Sequence, residues 1–579
     1  MERFIVYKDA LQIMKNRLGD KFQKKIFDIL INKALIVSFN YNDNIYFYVD
    51  DINIFERLML LNSDITTNIK ALMGYDGDFF SETINLAKGT FMTYSVNDME
   101  KKVPAFVKNI IYFYGENFEE CEECQYDLLG VHIFTNNKYV SLYISDCASR
   151  KNLLDMMKSS NFANSSAYMG SKKGLVGFIV ESIWPHLNNK MPVLDIMCGS
   201  GAVSNAFAQM RKVYASDAQY FCRLLAKIQG KGFNTSVAEK LQRSLFKYYS
   251  KNMHLLKNEC NDALKKEEDI FHMDLKNREE VVSFYLDFVQ SFELFLSAEK
   301  NCEFLEHRIK ERKQNHKKEP YCLFTYYFSN IYFGLEQCNQ IDSIRYAIDM
   351  LEDFTEREWL LGILITSVSS VASNYAGHFA QPKKINEASI YDIIEKRKRS
   401  VWLEFSKRIQ AVAIESERTA YEIIDLKGPW ENALEEVKNR ENDLLVYLDA
   451  PYKREEYSRY YHVLETLAQY DYPASEGKGR LRSIKKERFK SNFSSRNCMK
   501  VEEYFIYVIT SILKEVRRCA WSYSNNGLAN IMHIINGVQK EISCKIYLYC
   551  RAHRHASQGK MQKRKKINVI EYCILFVKD

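Results

Sequence analysis

Asp449, Ala450, Pro451 and Tyr452 close an apolar, partly β-branched run, Leu444 to Leu448, that reads as a short buried strand. They bring three kinds of group to one place. The Asp449 carboxylate accepts hydrogen bonds. Pro451 stiffens the turn and helps fix the Ala450 carbonyl. Tyr452 offers a flat face for stacking. Such a set suits a planar ring that carries an amine, for example a nucleobase taken out of its stack. The same residues also fit an ordinary strand-to-loop turn.

A second chemical stretch lies upstream. Pro192 to Ser204 reads as a strand, a tight glycine turn at Gly199 and Gly201, and a helix. Glycines at such a bend let backbone approach a ligand at the carboxyl end of a strand. Ser204 stands where a dinucleotide fingerprint wants Gly or Ala, which argues against a nicotinamide or flavin. Lys212 to Asp217 reads as a second strand ending in an acid, the usual partner of ribose hydroxyls. The pattern is half of a nucleoside-binding α/β unit. Before it, Tyr168-Met169-Gly170-Ser171-Lys172 leads into an apolar helix over 175–183, a plausible anion-binding corner.

These residues need a scaffold, and the rest of the chain supplies one. With 579 residues the chain can form two or three domains, and 8 prolines and 22 glycines argue against long disordered linkers. Residues 1 to about 150 read as a separate α/β module with a helical pattern over 8–32 and a hairpin over 130–144 turning at Asn136-Asn137. No catalytic constellation stands out in it. The polar run 158–166 is the best boundary. From about 236 to 440 the pattern is mostly helical, and strand alternation returns only near Asn442. Helices follow over 457–470 and 504–516, then strands over 520–524, 542–549 and 569–577.

The net charge of +7 permits nucleic acid without demanding it. Two basic runs say more. One includes Lys485, Lys486 and Arg488; the other, free of acids from Lys545 to Lys566, includes Arg551, Arg554, Lys563, Arg564 and Lys565. Each reads as a solvated loop or as a phosphate-binding flank of the Asp449 cleft. Cys121-x-x-Cys124 lacks a partner pair at zinc spacing, so no metal is expected. The start of the chain has no signal-peptide shape and no apolar run is long enough for a bilayer, so a cytoplasmic protein without a membrane partner is expected.

In order, Tyr168-x-Gly170-Ser171-Lys172, Asp195-Ile-Met-Cys-Gly199-Ser-Gly201, Asp217 and Asp449-Ala-Pro-Tyr452 resemble the adenine-specific DNA methyltransferases of the Dam-like (alpha) group. Tyr457 to Glu465, Ser522 to Asn525, Asn330 to Phe333, Ile341 to Arg345 and Asn374 to His378 look like members found in restriction–modification systems. The resemblance covers roughly 160–579. It implies an α/β fold: a Rossmann-like S-adenosylmethionine-dependent methyltransferase sheet with a large, mostly helical insertion and an N-terminal α/β extension. Residues 1–160 would be a module of unknown role and 161–235 the cofactor-binding half. Residues 236–440 would carry target recognition, and 441–579 the target-base half. The cofactor would be S-adenosylmethionine, bordered by Tyr168, Lys172, Asp195, Gly199, Gly201, Asp217 and Asp449. Asp449, Ala450, Pro451 and Tyr452 would act on the target adenine. Double-stranded DNA would be the partner, with a cognate restriction endonuclease beside it. Two departures stand out: Ala450 replaces a usual Pro, and Met197 a usual Phe. Methylation of RNA adenine or of the cytosine amine, and a DNA-binding protein that has lost catalysis, are the rival readings.

Overall fold

The computed structural model describes residues 4–18, 38–41, 44–48, 89–95, 131–136, 139–145 and 172–579, the last apart from 184–185, 188–190, 210, 292–309, 376, 452–455, 484–487, 525–526 and 557–565. Tyr168, Tyr452, Lys485, Lys486, Lys563, Arg564, Lys565 and the Cys121–Cys124 pair lie outside the described residues.

Seven strands form the central sheet: β1 (Val193–Asp195), β2 (Val213–Ser216), β3 (Ile423–Leu426), β4 (Leu445–Leu448), β5 (Arg518–Ser524), β6 (Cys544–Ala556) and β7 (Lys566–Lys578). Their spatial order is β3-β2-β1-β4-β5-β7-β6. The first five run parallel, and β7 lies antiparallel between β5 and β6. The chain winds outward from β1 in one direction and from β4 in the other. The crevice between the ends of these two strands is therefore the switch point where ligands bind in open α/β sheets.

The short parallel strands are apolar because both faces are covered. Val193, Val213, Leu445 and Tyr447 join the core on one side; Leu194, Tyr214, Val446 and Leu448 join the core on the other. The first face is covered by helices α1 (Val176–Ile183), α2 (Ala202–Ala208) and α3 (Tyr220–Lys227). The second is covered by Trp430–Lys438, Cys498–Glu515 and Ile531–Glu541.

Three expectations change here. The sheet resumes at Ile423, before Asp449: β3 pairs with β2 as an edge strand, and the helix Trp430–Lys438 returns the chain to β4. The helical stretch between β2 and β3 therefore ends with Val401–Arg418. After α3 it continues with a 38-residue helix, Thr235–His272, kinked at Cys260. Part of it packs directly on the sheet's own helices: a Cβ at Gly362 would stand 2.6 Å from Ile228 and 2.7 Å from the Leu224 carbonyl. Second, the helix expected over 457–470 breaks at Tyr461 into Tyr457–Tyr460 and His462–Gln469. Third, β6 runs on to Ala556 and β7 starts at Lys566, so Arg551 and Arg554 are strand residues, opposite Glu571 and Asn568, and not part of a loop.

In the first 150 residues two three-stranded antiparallel sheets are described. One holds the expected hairpin, Val131–Asn136 with Tyr139–Ser145, its turn closed by the pair Asn136 and Tyr139. Among the described residues no helix is long and apolar enough to cross a membrane.

Candidate active site

The ends of β1, β2 and β4 open into a cleft of about 270 Å³. Gly199 and Gly201 turn the chain from β1 into α2 with φ of 50° and 76°, a left-handed backbone that favours glycine. The two serve different ends. Gly199 lines the cleft, and its N–H donates to Asp217 at 3.1 Å. At Gly201 a Cβ would stand 2.6 Å from Ala226 Cα and 2.8 Å from Gln229 Nε2. There the missing side chain lets α2 pack against α3.

Asp217 follows β2. Its carboxylate accepts the N–H groups of Gly199 and of Gln219, the latter at 2.9 Å. Burial holds its carboxyl above the usual range, and those two bonds oppose the shift. Asp195, at the end of β1, is 1 % exposed and accepts the Ser204 hydroxyl at 2.6 Å. Ser204 thus has a structural use where a dinucleotide site would want a smaller residue. Burial pushes Asp195 up to about 7; the Ser204 bond opposes this and the charges of Asp449 and Asp217 add to it.

Asp449 sits one residue past β4. Its carboxylate meets the ammonium of Lys172 at 3.0 Å, and that ammonium lies 3.8 Å from Glu571 on β7. Lys172 begins the 3₁₀ turn Lys172–Leu175 that leads into α1, so the motif expected to border the cofactor reaches the target-side acid directly. Burial raises Asp449's carboxyl above its usual range, and Lys172 pulls it back. Ala450 is buried, and both it and Pro451 line the cleft.

Apart from Lys490, which belongs to the basic run expected to flank the cleft, the remaining walls were not foreseen. Pro429, Trp430 and Glu431 follow β3 and line the cleft beside Asp217 and Gln219. Phe493 and Tyr504 meet edge to face at 4.7 Å on another wall. Phe489, about half exposed, and Lys490 stand at the cleft as well. Glu456, also lining it, pairs with Arg488 at 3.0 Å. Arg488's guanidinium is 8 % exposed and committed to a carboxylate, unlike the open phosphate contact expected of it. Arg482 in the same run is likewise buried and paired with Asp471. The side chains of Arg551 and Arg554 are not described.

The cleft therefore joins a glycine turn, an acid that follows β2 and an acid that ends β4, all at the switch point. The family of D12 class N6 adenine-specific DNA methyltransferases matches residues 168–519. The chain belongs to that family. A curated relative, the Type II methyltransferase M.FokI of Planomicrobium okeanokoites, is 24% identical over 371 residues. That match takes in 62% of this chain and 45% of M.FokI, so the chain spans about half the length of this relative. No solved structure gives a significant match. The D12 match reaches from the Tyr168 motif through the helical stretch to the second residue of β5.

Proposed function

We propose that this D12-family chain transfers a methyl group from S-adenosylmethionine to the N6 amine of an adenine in a specific double-stranded DNA sequence. It would serve as the modification component of a restriction–modification or related defence system, a context supported by the likeness to M.FokI. The observation that carries the reading is Asp449, a carboxylate paired with a buried lysine and facing the cleft that also holds Gly199 and Asp217.

The donor set fits the cofactor. Asp217 spends two acceptor sites on backbone N–H groups and, when ionised, keeps others for ribose hydroxyls. Gly199 would leave room for the methionine part, Lys172 and Tyr168 would border it, and Trp430, which lines the cleft, would give a flat wall. Three acids, Asp195, Asp217 and Asp449, line the cleft, and in their ionised forms they favour a cation. The cofactor supplies an electrophilic methyl on a positively charged sulfur.

The target amine is a poor nucleophile because its lone pair is delocalised into the ring. Asp449 and the Ala450 carbonyl would accept its two N–H bonds. That favours a tetrahedral nitrogen and frees the pair. Fixed acceptors and orientation supply most of the effect. Tyr452 would stack on the extruded base. Lys485, Lys486 and basic residues of the 551–565 segment would hold the flanking phosphates.

The test is expression in a host without adenine methylation, followed by mass spectrometry of digested DNA and RNA. N6-methyladenine in DNA is expected from the wild type and none from Asp449→Ala. Methyl on the cytosine amine, or in RNA alone, would replace the substrate. A protein that binds cofactor and DNA yet transfers no tritiated methyl would be a binder.

A further inference from the structure

We propose that Glu571 is a positioning residue: by holding Lys172, it lets Asp449 take the proton that the target amine must lose. The inference rests on the reading above and concerns the part of the reaction that reading leaves open.

The atoms require a proton acceptor. A new carbon–nitrogen bond forms, the carbon–sulfur bond breaks, and its electron pair stays on sulfur. The target nitrogen then carries one proton too many. An N–H bond must break with its pair returning to nitrogen, and the proton must reach a base. Asp449 is the carboxylate placed to receive it.

Lys172 complicates that transfer. Its ammonium is 4 % exposed and lies 3.0 Å from Asp449. With Asp449 as its sole counter-ion, protonation of Asp449 would strand a buried cation, a strongly unfavourable state. Glu571 removes the obstacle. It is 3 % exposed, sits 3.8 Å from the same ammonium, and comes from β7, a strand remote in sequence from both. Two carboxylates share one ammonium, so one can be neutralised while the other keeps the lysine paired. Asp449 opens on the cleft, whereas Glu571 does not line it, so Asp449 is the one that cycles.

Other charged and titratable groups bear on the cluster. Asp195 adds negative charge next to Asp449 but keeps its own bond to Ser204. Asp217 adds its charge at Asp195 and is held by two backbone N–H groups. Tyr447, two residues before Asp449, donates to Ser522 at 2.8 Å. Arg551 occupies the register position opposite Glu571 on β6, and Tyr572 follows Glu571 on β7. None of these replaces the carboxylate in contact with Lys172.

Glu571→Gln keeps the size and removes the charge. Loss of that charge makes Asp449 a weaker base, so kcat should fall by about tenfold or more with KM for DNA little changed. Asp449 must be ionised to accept the proton, so activity falls as pH drops through its pKa. The variant lowers that pKa, and the acid limb of kcat should move to lower pH. The ligand-free protein gives a second readout. A carboxyl titrating above its usual range binds protons in the folded state, so stability falls as pH rises through that window. The melting temperature should therefore decline less steeply with pH, between the ordinary carboxylate range and neutrality, in Glu571→Gln than in the wild type. A purely structural glutamate would lower melting equally at every pH and leave the limb in place. That pair of results overturns the proposal. If Glu571→Gln does not fold, Glu571→Ala, which leaves space for water, repeats both measurements with the same expectations. A wild type that transfers no methyl group would sink the functional reading instead. The melting slopes still judge the charge coupling in that case.

Discussion

Asp342 and Asp449 are both carboxylates withdrawn from water, and the protein serves them differently. Asp342, in the helical stretch, accepts the Phe324 and Thr325 N–H groups and the Thr325 hydroxyl at 2.8 Å each, and the Tyr470 hydroxyl at 2.6 Å. Burial raises its carboxyl to about 6 against the pull of those bonds. Every oxygen is occupied, and its work is to tie the segment before helix Leu335–Asp349 to the segment after His462–Gln469. Asp449 is described with one direct partner, an ammonium, and with a cleft in front of it. A saturated buried acid builds structure; an unsaturated one that faces a cavity is available for chemistry.

Opposite substitutions should break or confirm that contrast. Asp449→Asn should lower methyl transfer about a thousandfold or more, in line with loss of a central polar group, and leave the melting temperature unchanged or raised. Asp342→Ala should do the reverse. It leaves three buried donors, the Phe324 and Thr325 N–H groups and the Tyr470 hydroxyl, without their acceptor, while the Thr325 hydroxyl keeps Asn339; each loss costs about 1–3 kcal/mol, so the folded yield should collapse. A stable Asp342→Ala protein, or an active Asp449→Asn one, would erase the distinction; thermal melts and tritium transfer decide.

The same division runs between two glycines two residues apart in the chain. Gly199→Val should abolish cofactor binding, read by calorimetry, in a protein that still folds. Gly201→Val should lower the melting temperature itself, because its Cβ meets Ala226 backbone. Equal behaviour of the two variants would merge the roles.

A smaller effect concerns pH. Asp195 stays protonated in the folded protein up to about 7, against an ordinary value of 3.8. Stability should therefore fall as pH rises through that window, and Asp195→Asn should flatten the fall. The smallest expected effect is on salt. Replacing Lys563, Arg564 and Lys565 with Ala should weaken all DNA sequences alike, each lost phosphate contact lowering the salt slope by about 0.9. An unchanged slope would make that segment a solvated one.

What could be read in advance followed sequence distance. The turns at Gly199 and Asp449 are local: strand, bend and acid lie within a dozen residues, so their chemistry shows in the letters. β3 was missed because Ile423 to Leu426 is four residues long, contains an acid, and follows a long helical region. Glu571 lies in the expected strand over 569–577, and nothing near it announces that Lys172 lies against it. Arg482 and Arg488 read as free charge because their partners, Asp471 and Glu456, lie 11 and 32 residues away. Asn330, Asp342 and Glu465 belonged to motifs that carried the family resemblance, yet their described roles are bonds within the fold: Asn330 to Tyr285 and Arg397, Asp342 as above.

Glu465 has the widest reach. From the segment after Asp449, it accepts the N–H groups of Tyr220 and Phe221 at 3.2 and 3.1 Å, the first residues of the helix that follows Asp217. Glu456 to Ser458, which line the cleft, are thus joined through the short helix His462–Gln469 to the mounting of Asp217, the acid proposed to hold the ribose. If cofactor and DNA each strain that joint, occupancy by one should change the grip on the second, by the same factor in either direction. Loosening that joint, as in Glu465→Gln, would make the two occupancies more nearly independent, so the molecule would spend cofactor encounters on DNA it is not ready to mark.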